Sequence, residues 1–470
     1  MTDLLSQYYR CPERYVRFAL KGLVSEEANG YFRFDRHTVF GRCRTCHPAD
    51  HPSESLHDAL QDTCIEDGKT YLSFDITQVV NGLRFEQYAQ SANTNSAFQS
   101  ALRHLYYFVR PILTVAIRKH LQKVHLSGWQ RIPFPHWPVD RTVDSLFEQL
   151  LLLSLRASGA ERIPFIWFWP NGAASCAIMT HDVETRHGRD FSTTLMDIDD
   201  AFGIKASFMV VPERRYDVAQ SYLDSITARG FEVGVQDLNH DGHLYRHRHQ
   251  FLERVKHINS YGRKWGAVGF RAAVLYRRQE WFDALDFEYD MSVPNVAHLD
   301  PQRGGCCTVM PYFVGRVLEL PVTTTQDYSL FHILKDYSIA LWKRQIELIM
   351  EKHGLISFII HPDYITTPRE RQTYEALLAR LTFLRDEKHV WTPTPGEVNR
   401  WWRQRAEMRI VEDGEDLRIE GPGKERACIA YASEEDGRIV FSVEAPDDTA
   451  DMVRMPLNRD LRPVLREMKD

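Results

Sequence analysis

The sequence has few cysteines and no long apolar run, and both absences narrow the class of protein. Eight cysteines are spread over 470 residues without regular spacing, so a disulfide-stapled secreted scaffold is excluded and free thiols are expected. No window reaches the ~18 apolar residues of a membrane-spanning helix. The first residues also lack the basic and apolar segments of a signal peptide. We therefore expect a cytoplasmic protein.

An excess of charge of one sign is also missing. The chain carries 58 Lys and Arg against 64 Asp and Glu, a formal net charge of −6, and 43% of its residues are hydrophobic. This composition excludes a disordered chain and argues against a general nucleic-acid binder, which would usually be basic. The length predicts two to four domains at roughly 100–200 residues each.

The middle of the chain alternates short apolar runs with helical stretches, from about residue 163 to residue 395. That alternation predicts βαβ units in a parallel sheet or barrel. We expect three parts: an N-terminal α/β region (1–160), an α/β barrel (161–406) and a small C-terminal β module (407–470). In the last part, alternating residues between Gly and Asp turns predict antiparallel strands.

Polar residues follow four of the apolar runs in the middle region. The segment Thr180–Glu184 (THDVE) follows the first run, and Gln236–His243 (QDLNHDGH) follows the third. Arg271 and His361 each end a further run. Taken alone, the acidic motif also fits a helix cap, Arg271 better fits a surface cation, and His361 also fits a structural histidine, whereas the polar cluster 236–243 slightly favours a site. In a parallel barrel, however, strand ends share the rim where active sites form.

The order of these four pieces resembles that of the polysaccharide deacetylases of carbohydrate esterase family 4, whose fold is an irregular (β/α) barrel. The resemblance covers about residues 163–394, roughly half of the chain. It implies that Asp182 is the general base and that Arg271 pairs with it. It further implies that His361 protonates the leaving group.

The same resemblance implies a divalent metal, zinc or a similar ion. Glu184 resembles the metal-binding acid, and His240 resembles the second histidine of the family's His-x-x-x-His loop. Gln236 stands where that loop has its first histidine, and an amide oxygen is a poor zinc ligand beside imidazole. The expected metal ligands are therefore Glu184, His240 and Gln236, with Asp237 or His243 as possible substitutes.

The leading functional hypothesis is hydrolysis of an N-acyl group, such as acetyl, from a carbohydrate. The missing export signal favours an intracellular precursor of a surface polysaccharide as the substrate. One alternative is a metal-independent C–N hydrolase similar to the allantoinases. Another is a barrel without catalysis that binds a glycan or a partner, which the glutamine at 236 leaves open.

The segment Cys43–His47 is a C-x-x-C-H string, which attaches haem in c-type cytochromes. Haem attachment requires export, and a structural zinc site would need a second pair of ligands. We therefore expect free thiols here.

A basic stretch lies in the N-terminal region. Residues 87–139 contain six Lys and Arg and no Asp or Glu, with aromatic and aliphatic residues between the cations. This pattern fits a buried amphipathic helix. It also fits peripheral contact of residues 103–123 with an anionic membrane or a lipid-diphosphate-linked sugar, at the inner membrane face.

Overall fold

The computed structural model describes residues 3–22, 29–92, 126, 128–414, 416–444 and 453–454. Residues 103–123 lie outside this range, so the two interpretations of the basic stretch stay predictions. Among the described residues, we find no helix with the length and apolar character needed to span a bilayer. All eight cysteines are free, as expected.

Ten α-helices and twenty β-strands organise the described residues, numbered here in chain order. They are α1 (Asp3–Tyr9), β1 (Phe18–Leu20), β2 (Gly30–Phe34), β3 (His37–Gly41), β4 (Cys64–Glu66), β5 (Lys69–Leu72), α2 (Ile76–Arg84), α3 (Gln87–Ala92), α4 (Thr142–Ser158), β6 (Arg162–Ile166), β7 (Ser175–Val183), α5 (Arg186–Ala201), β8 (Ala206–Val210), α6 (Gln220–Thr227), β9 (Glu232–Gln236), α7 (Arg248–Trp265), β10 (Gly269–Arg271), β11 (Tyr289–Asp290), β12 (Tyr312–Val314), β13 (Val317–Glu319), α8 (Ala340–Met350), β14 (Leu355–Ile360), α9 (Pro368–Lys388), β15 (Val390–Trp391), α10 (Pro395–Glu407), β16 (Arg409–Asp413), β17 (Asp416–Glu420), β18 (Ile429–Glu435), β19 (Arg438–Val443) and β20 (Val453–Arg454).

The central sheet has the strand order β12-β13-β11-β10-β9-β8-β7-β14. Its neighbours pair in parallel, except for the antiparallel pair of β12 and β13. Because the strands run the same way, their carboxyl ends share one edge. The predicted α/β class with an irregular (β/α) barrel is therefore confirmed.

The strand sequences explain why this sheet lies at the centre. All nine residues of β7 and all six of β14 are buried. Buried strands of this kind carry continuous apolar runs, because helices cover both faces of a parallel sheet. Apolar side chains of α5, α8 and α9 pack with them in one core cluster.

The barrel closes incompletely between the ends of β13 and β14. Two threonines just after β13 reach across to β14: Thr323 Oγ1 donates to Leu355 O (2.7 Å), and Thr324 N donates to Ser357 O (3.3 Å). Ser357 N in turn donates to Thr323 Oγ1 (2.9 Å). Between the segment after β13 and β14, hydrogen bonds of the Thr323 side chain thus take the place of some of the backbone pairs of a regular sheet.

The strand β6 does not join the central sheet, although its apolar run begins the predicted barrel region. It pairs antiparallel with β18 of the C-terminal segment. Phe165 of β6 contacts the rings of Tyr9 and Phe441, so one core is shared by the N-terminal region, β6 and the last strands. The antiparallel pairs predicted near the C-terminus are present.

Candidate active site

The first predicted motif lies at the carboxyl end of β7. Side chains alternate between the two faces of a strand, and the motif divides accordingly. Thr180 and Asp182 both accept hydrogen bonds from Arg271 Nη1, at 2.8 and 2.6 Å. His181 lies on the other face, where its Nε2 is 2.8 Å from Asp199 Oδ2 of α5. Asp182 therefore faces the candidate site, whereas His181 faces α5 on the opposite side of the strand.

Asp182 is held by two donors. Its Oδ1 accepts from Arg271, whose side chain is fully buried, and its Oδ2 accepts from Gln236 Nε2 at 2.9 Å. A third hydrogen bond, from Arg271 Nε to Met291 O at 2.9 Å, fixes the guanidinium. A buried, charge-assisted pair of this kind orients the carboxylate strongly. The predicted pairing of Asp182 and Arg271 is present.

Glu184 stands at the opening of the site and contacts three polar side chains. Its Oε1 lies 2.7 Å from His240 Nε2, 3.4 Å from His361 Nε2 and 3.3 Å from Gln236 Nε2. Burial raises the pKa of Glu184, but the two histidines outweigh it and hold that pKa well below its usual range. Its side chain is 17% exposed, which leaves this group reachable from solvent.

His361 follows β14 and is anchored by Asp327. Its Nδ1 lies 2.6 Å from Asp327 Oδ1, and its backbone N donates to Asp327 Oδ2 at 2.7 Å. Burial alone would lower the pKa of His361, but Asp327 and Glu184 raise it well above the usual histidine value. Since Nδ1 faces Asp327, the other ring nitrogen, Nε2, faces the site.

The structure brings together all six residues that the sequence nominated. They are Asp182, Glu184, Gln236, His240, Arg271 and His361. The two possible substitutes have partners other than Glu184, although Asp237 lies near His240. Burial lowers the pKa of His240, whereas Glu184 and the nearby Asp237 raise it. Asp237 accepts a hydrogen bond from the adjacent Leu238 N, and His243 pairs loosely with Asp241 at 3.8 Å.

Sequence reasoning missed Asp327. The signal was weak but present: Asp327 follows a polar segment after the apolar run 317–321, as the other site residues follow their runs. Nothing in the sequence ties it to residue 361, which lies 34 positions away.

The donor set fits a divalent cation. Asp182, Glu184 and His361 each offer one ligand atom, and these atoms lie within 4.8 Å of one another. His240 Nε2 faces Glu184 without hydrogen-bond alignment and is buried without another partner. Carboxylate oxygens and imidazole nitrogens suit zinc and similar ions.

Gln236 takes part differently from the expectation. Its amide nitrogen, not its oxygen, faces the site, since Nε2 donates to both Asp182 and Glu184. The oxygen Oε1 is buried and has no partner among the described residues. As oriented, the amide links the two carboxylates instead of offering a ligand atom.

Comparison with solved structures finds matches of low similarity over about half of the chain. No protein family model and no curated protein matches the sequence. A structure described as a polysaccharide deacetylase from Mycobacterium smegmatis matches with a TM-score of 0.41 and 17% identity, over 50% of this chain and 92% of that chain. The parallel strand order of the central sheet, and not this match, shows the α/β fold of the chain.

Two further matches differ in their described activity. The Puue allantoinase has a TM-score of 0.40 and 14% identity, over 50% of this chain and 92% of its own. A carbohydrate esterase family 4 pseudoenzyme from Bacillus anthracis has a TM-score of 0.31 and 14% identity, over 48% of this chain and 65% of its own. The TM-scores of these matches are below 0.5, and the proposed function rests on the geometry of the site.

Proposed function

We propose that the protein is a hydrolase that removes an N-acyl group, such as acetyl, from a carbohydrate. The observation that carries the proposal is the arrangement of Asp182 and His361 around Glu184. A carboxylate held by a buried arginine and an imidazole held by a buried aspartate are within reach of the same small space. Amide hydrolysis needs a general base and a general acid in such an arrangement.

The reaction assigns one proton transfer to each group. Asp182 accepts a proton from water as the water oxygen bonds to the carbonyl carbon. His361 Nε2 gives its proton to the nitrogen as the C–N bond breaks. The products are a free amine on the sugar and a carboxylate, which is acetate for an acetyl substrate. Arg271 keeps Asp182 in place, and Asp327 keeps His361 in place.

A divalent metal at this site would be held by Glu184 and His240, since Asp182 and His361 are assigned to the two proton transfers. When bound, such an ion lowers the pKa of water toward ~7 and polarises a carbonyl group. The sequence-based ligand set of Glu184, His240 and Gln236 stays a prediction.

A second candidate is a C–N hydrolase that works without a metal. The orientation of Gln236 favours it, because the amide nitrogen stabilises the carboxylates of Asp182 and Glu184 by donating a hydrogen bond to each. Asp182 and His361 would keep the same roles. A non-sugar amide would then be the substrate.

The proposal extends to the class of carbohydrate and to where in the cell the protein meets it. An intracellular precursor of a surface polysaccharide, including a lipid-linked sugar, is the substrate class that we propose. The basic segment 103–123 would supply contact with the inner membrane face, and it lies outside the described residues.

Acetate release from a panel of acetamido sugars, together with metal analysis of the purified protein, tests the proposal. We expect acetate and free amine in equal amounts from at least one sugar. Binding of chito-oligosaccharide without turnover, with zinc added, would contradict a hydrolase and favour a binding barrel. Turnover of a non-sugar amide by metal-free protein would favour the second candidate.

A further inference from the structure

The segment that follows Arg271 has an unusual backbone. Val274 and Leu275 have φ values of +60° and +52°. Residues other than glycine rarely adopt this left-handed region, and a β-branched valine is especially disfavoured there. Two such residues in succession persist only when the surrounding structure holds them.

Arg277 supplies part of that hold. Its Nη1 donates to Leu275 O at 2.9 Å, which fixes the carbonyl of the second strained residue. The guanidinium is fully buried, and a buried cation requires a partner. That partner comes from the N-terminal region: Arg277 Nε donates to Glu86 Oε2 at 2.7 Å, and Nη2 contacts Glu86 Oε1.

Glu86 is itself fixed in place. It lies between α2 and α3, with a φ of +57°, and its Oε1 also accepts from Gly305 N at 2.6 Å. Gly304, which precedes Gly305, also packs against this carboxylate. A Cβ added at residue 304 would lie 2.5 Å from Glu86 Oε1, so the position has no space for a side chain. The carboxylate is therefore enclosed by the barrel that it contacts.

The strained segment reaches the candidate active site through Leu275. The Leu275 side chain packs with Val322 and Ile359 in a small buried cluster. Ile359 lies two residues before His361 on β14, and Arg271 lies four residues before Leu275. The segment 272–277 thus connects the residue that holds Asp182 with the strand that carries His361.

We propose that Glu86 is a positioning residue of the active site, acting through Arg277 on the segment 272–277. The N-terminal region then has a defined role, which is to hold the segment 272–277 between Arg271 and the strand that precedes His361. This inference rests on the proposed function for its catalytic part, whereas its structural part stands on the contacts alone.

Other contacts join the same two regions and do not involve Glu86. Arg84 O accepts from Gln279 Nε2 at 2.8 Å and from Tyr312 OH at 3.3 Å. Tyr88 OH donates to Gly305 O at 2.7 Å. The N-terminal region should therefore stay docked when Glu86 alone is changed.

The variant Glu86→Gln tests the inference by hydrogen exchange and kinetics. Four amides of the segment are hydrogen-bonded in the native chain, those of Ala272, Leu275, Tyr276 and Arg277. We expect faster exchange at residues 272–277 and a kcat lowered about 10- to 100-fold with little change in KM, since a small displacement at a site can cost this much. Unchanged exchange would overturn the proposal, and so would an unchanged kcat in an active protein.

Two further variants make the result specific. Tyr88→Phe removes the contacts of Tyr88 OH with Gly305 O and Cys307 Sγ at the same interface and leaves the Glu86–Arg277 pair in place, so it should lower thermal stability and leave kcat unchanged. Arg277→Lys keeps the buried charge pair but loses the fork that reaches both Glu86 and Leu275 O, so it should fold and reproduce the loss in kcat. A wild type that releases no acetate would contradict the proposed function, and the exchange measurement would still decide whether Glu86 holds the segment.

Discussion

Asp327 holds His361 at two points, with one carboxylate oxygen 2.6 Å from the ring Nδ1 and the other accepting from the backbone N at 2.7 Å. This double contact fixes the orientation of the ring and the nitrogen that faces the site. It also raises the pKa of His361, together with Glu184 and against the effect of burial. A general acid at neutral pH needs both properties.

The variant Asp327→Asn should lower kcat by about 10- to 100-fold, the usual cost of losing a supporting partner. Because Asp327 raises the pKa of His361, its removal lowers that pKa. The fall of kcat on the alkaline side should therefore begin at a lower pH than in the wild type. A pH–rate profile checks this, with the exposed Asp190→Asn as the control. An unchanged profile would show that Asp327 does not act through His361.

Metal binding depends on Glu184 if the site holds an ion. We expect Glu184→Gln to contain less zinc after purification and to lose about 100-fold or more in activity, as a catalytic group does. Elemental analysis and activity after chelation and zinc addition measure both effects. Full activity of chelated wild-type protein would reject the metal and support the metal-independent candidate.

The variant Gln236→His restores the first histidine of the His-x-x-x-His loop that the resemblance implies. An imidazole at this position offers a neutral nitrogen beside Glu184 and His240, where the native amide presents its nitrogen. We expect zinc affinity to increase by at least about tenfold, the size of effect that one supporting group produces. Titration calorimetry with zinc measures it, and Gln220→His on the surface is the control. Equal affinity in variant and wild type would place any metal away from residue 236.

His353 should make the fold sensitive to acid. Burial and the nearby Lys352 lower the pKa of His353 to about 4, below the usual 6.5, although its Nδ1 contacts Ala174 O. Since the folded pKa lies below the unfolded one, its stabilising contribution is complete above pH 6.5 and is lost as the pH falls toward 4. The loss amounts to at most about 3 kcal/mol.

His353→Asn keeps a donor for Ala174 O and suits the positive φ of +54°. Urea unfolding at pH 7 and pH 4.5 should show a smaller loss of stability in this variant than in the wild type. His389→Asn, at an exposed position with a similar φ of +53°, is the control. An equal loss in wild type and His353→Asn would refute the role of His353.

The sequence predicted the barrel because its signals are local. Apolar runs such as 355–360 and the helices between them can be recognised within a short window, and polar residues after each run indicate the shared edge. The polar pieces were found in this way, and the resemblance to the deacetylase family then singled out six residues within them. The antiparallel pairs near the C-terminus were recognised for the same reason.

Features that depend on distant pairs could not be predicted. Asp327 lies 34 residues from His361, and Glu86 lies 191 residues from Arg277. No spacing rule connects such residues, since only the folded chain brings them together. The pairing of β6 with β18 was missed for the same reason, because an apolar run does not indicate which strand it pairs with. The direction of the Gln236 amide depends on its hydrogen bonds, which residue type alone does not determine.

The most direct test of the account is acetate release by Asp182→Asn, compared with wild type and with Asp190→Asn on the same acetamido sugar. The variant keeps the size of the side chain and removes the base. The account predicts a kcat about 10²- to 10⁴-fold lower for Asp182→Asn, measured under conditions where circular dichroism shows the variant folded, and full activity for Asp190→Asn. A rate equal to the wild type would contradict a hydrolytic role for this site.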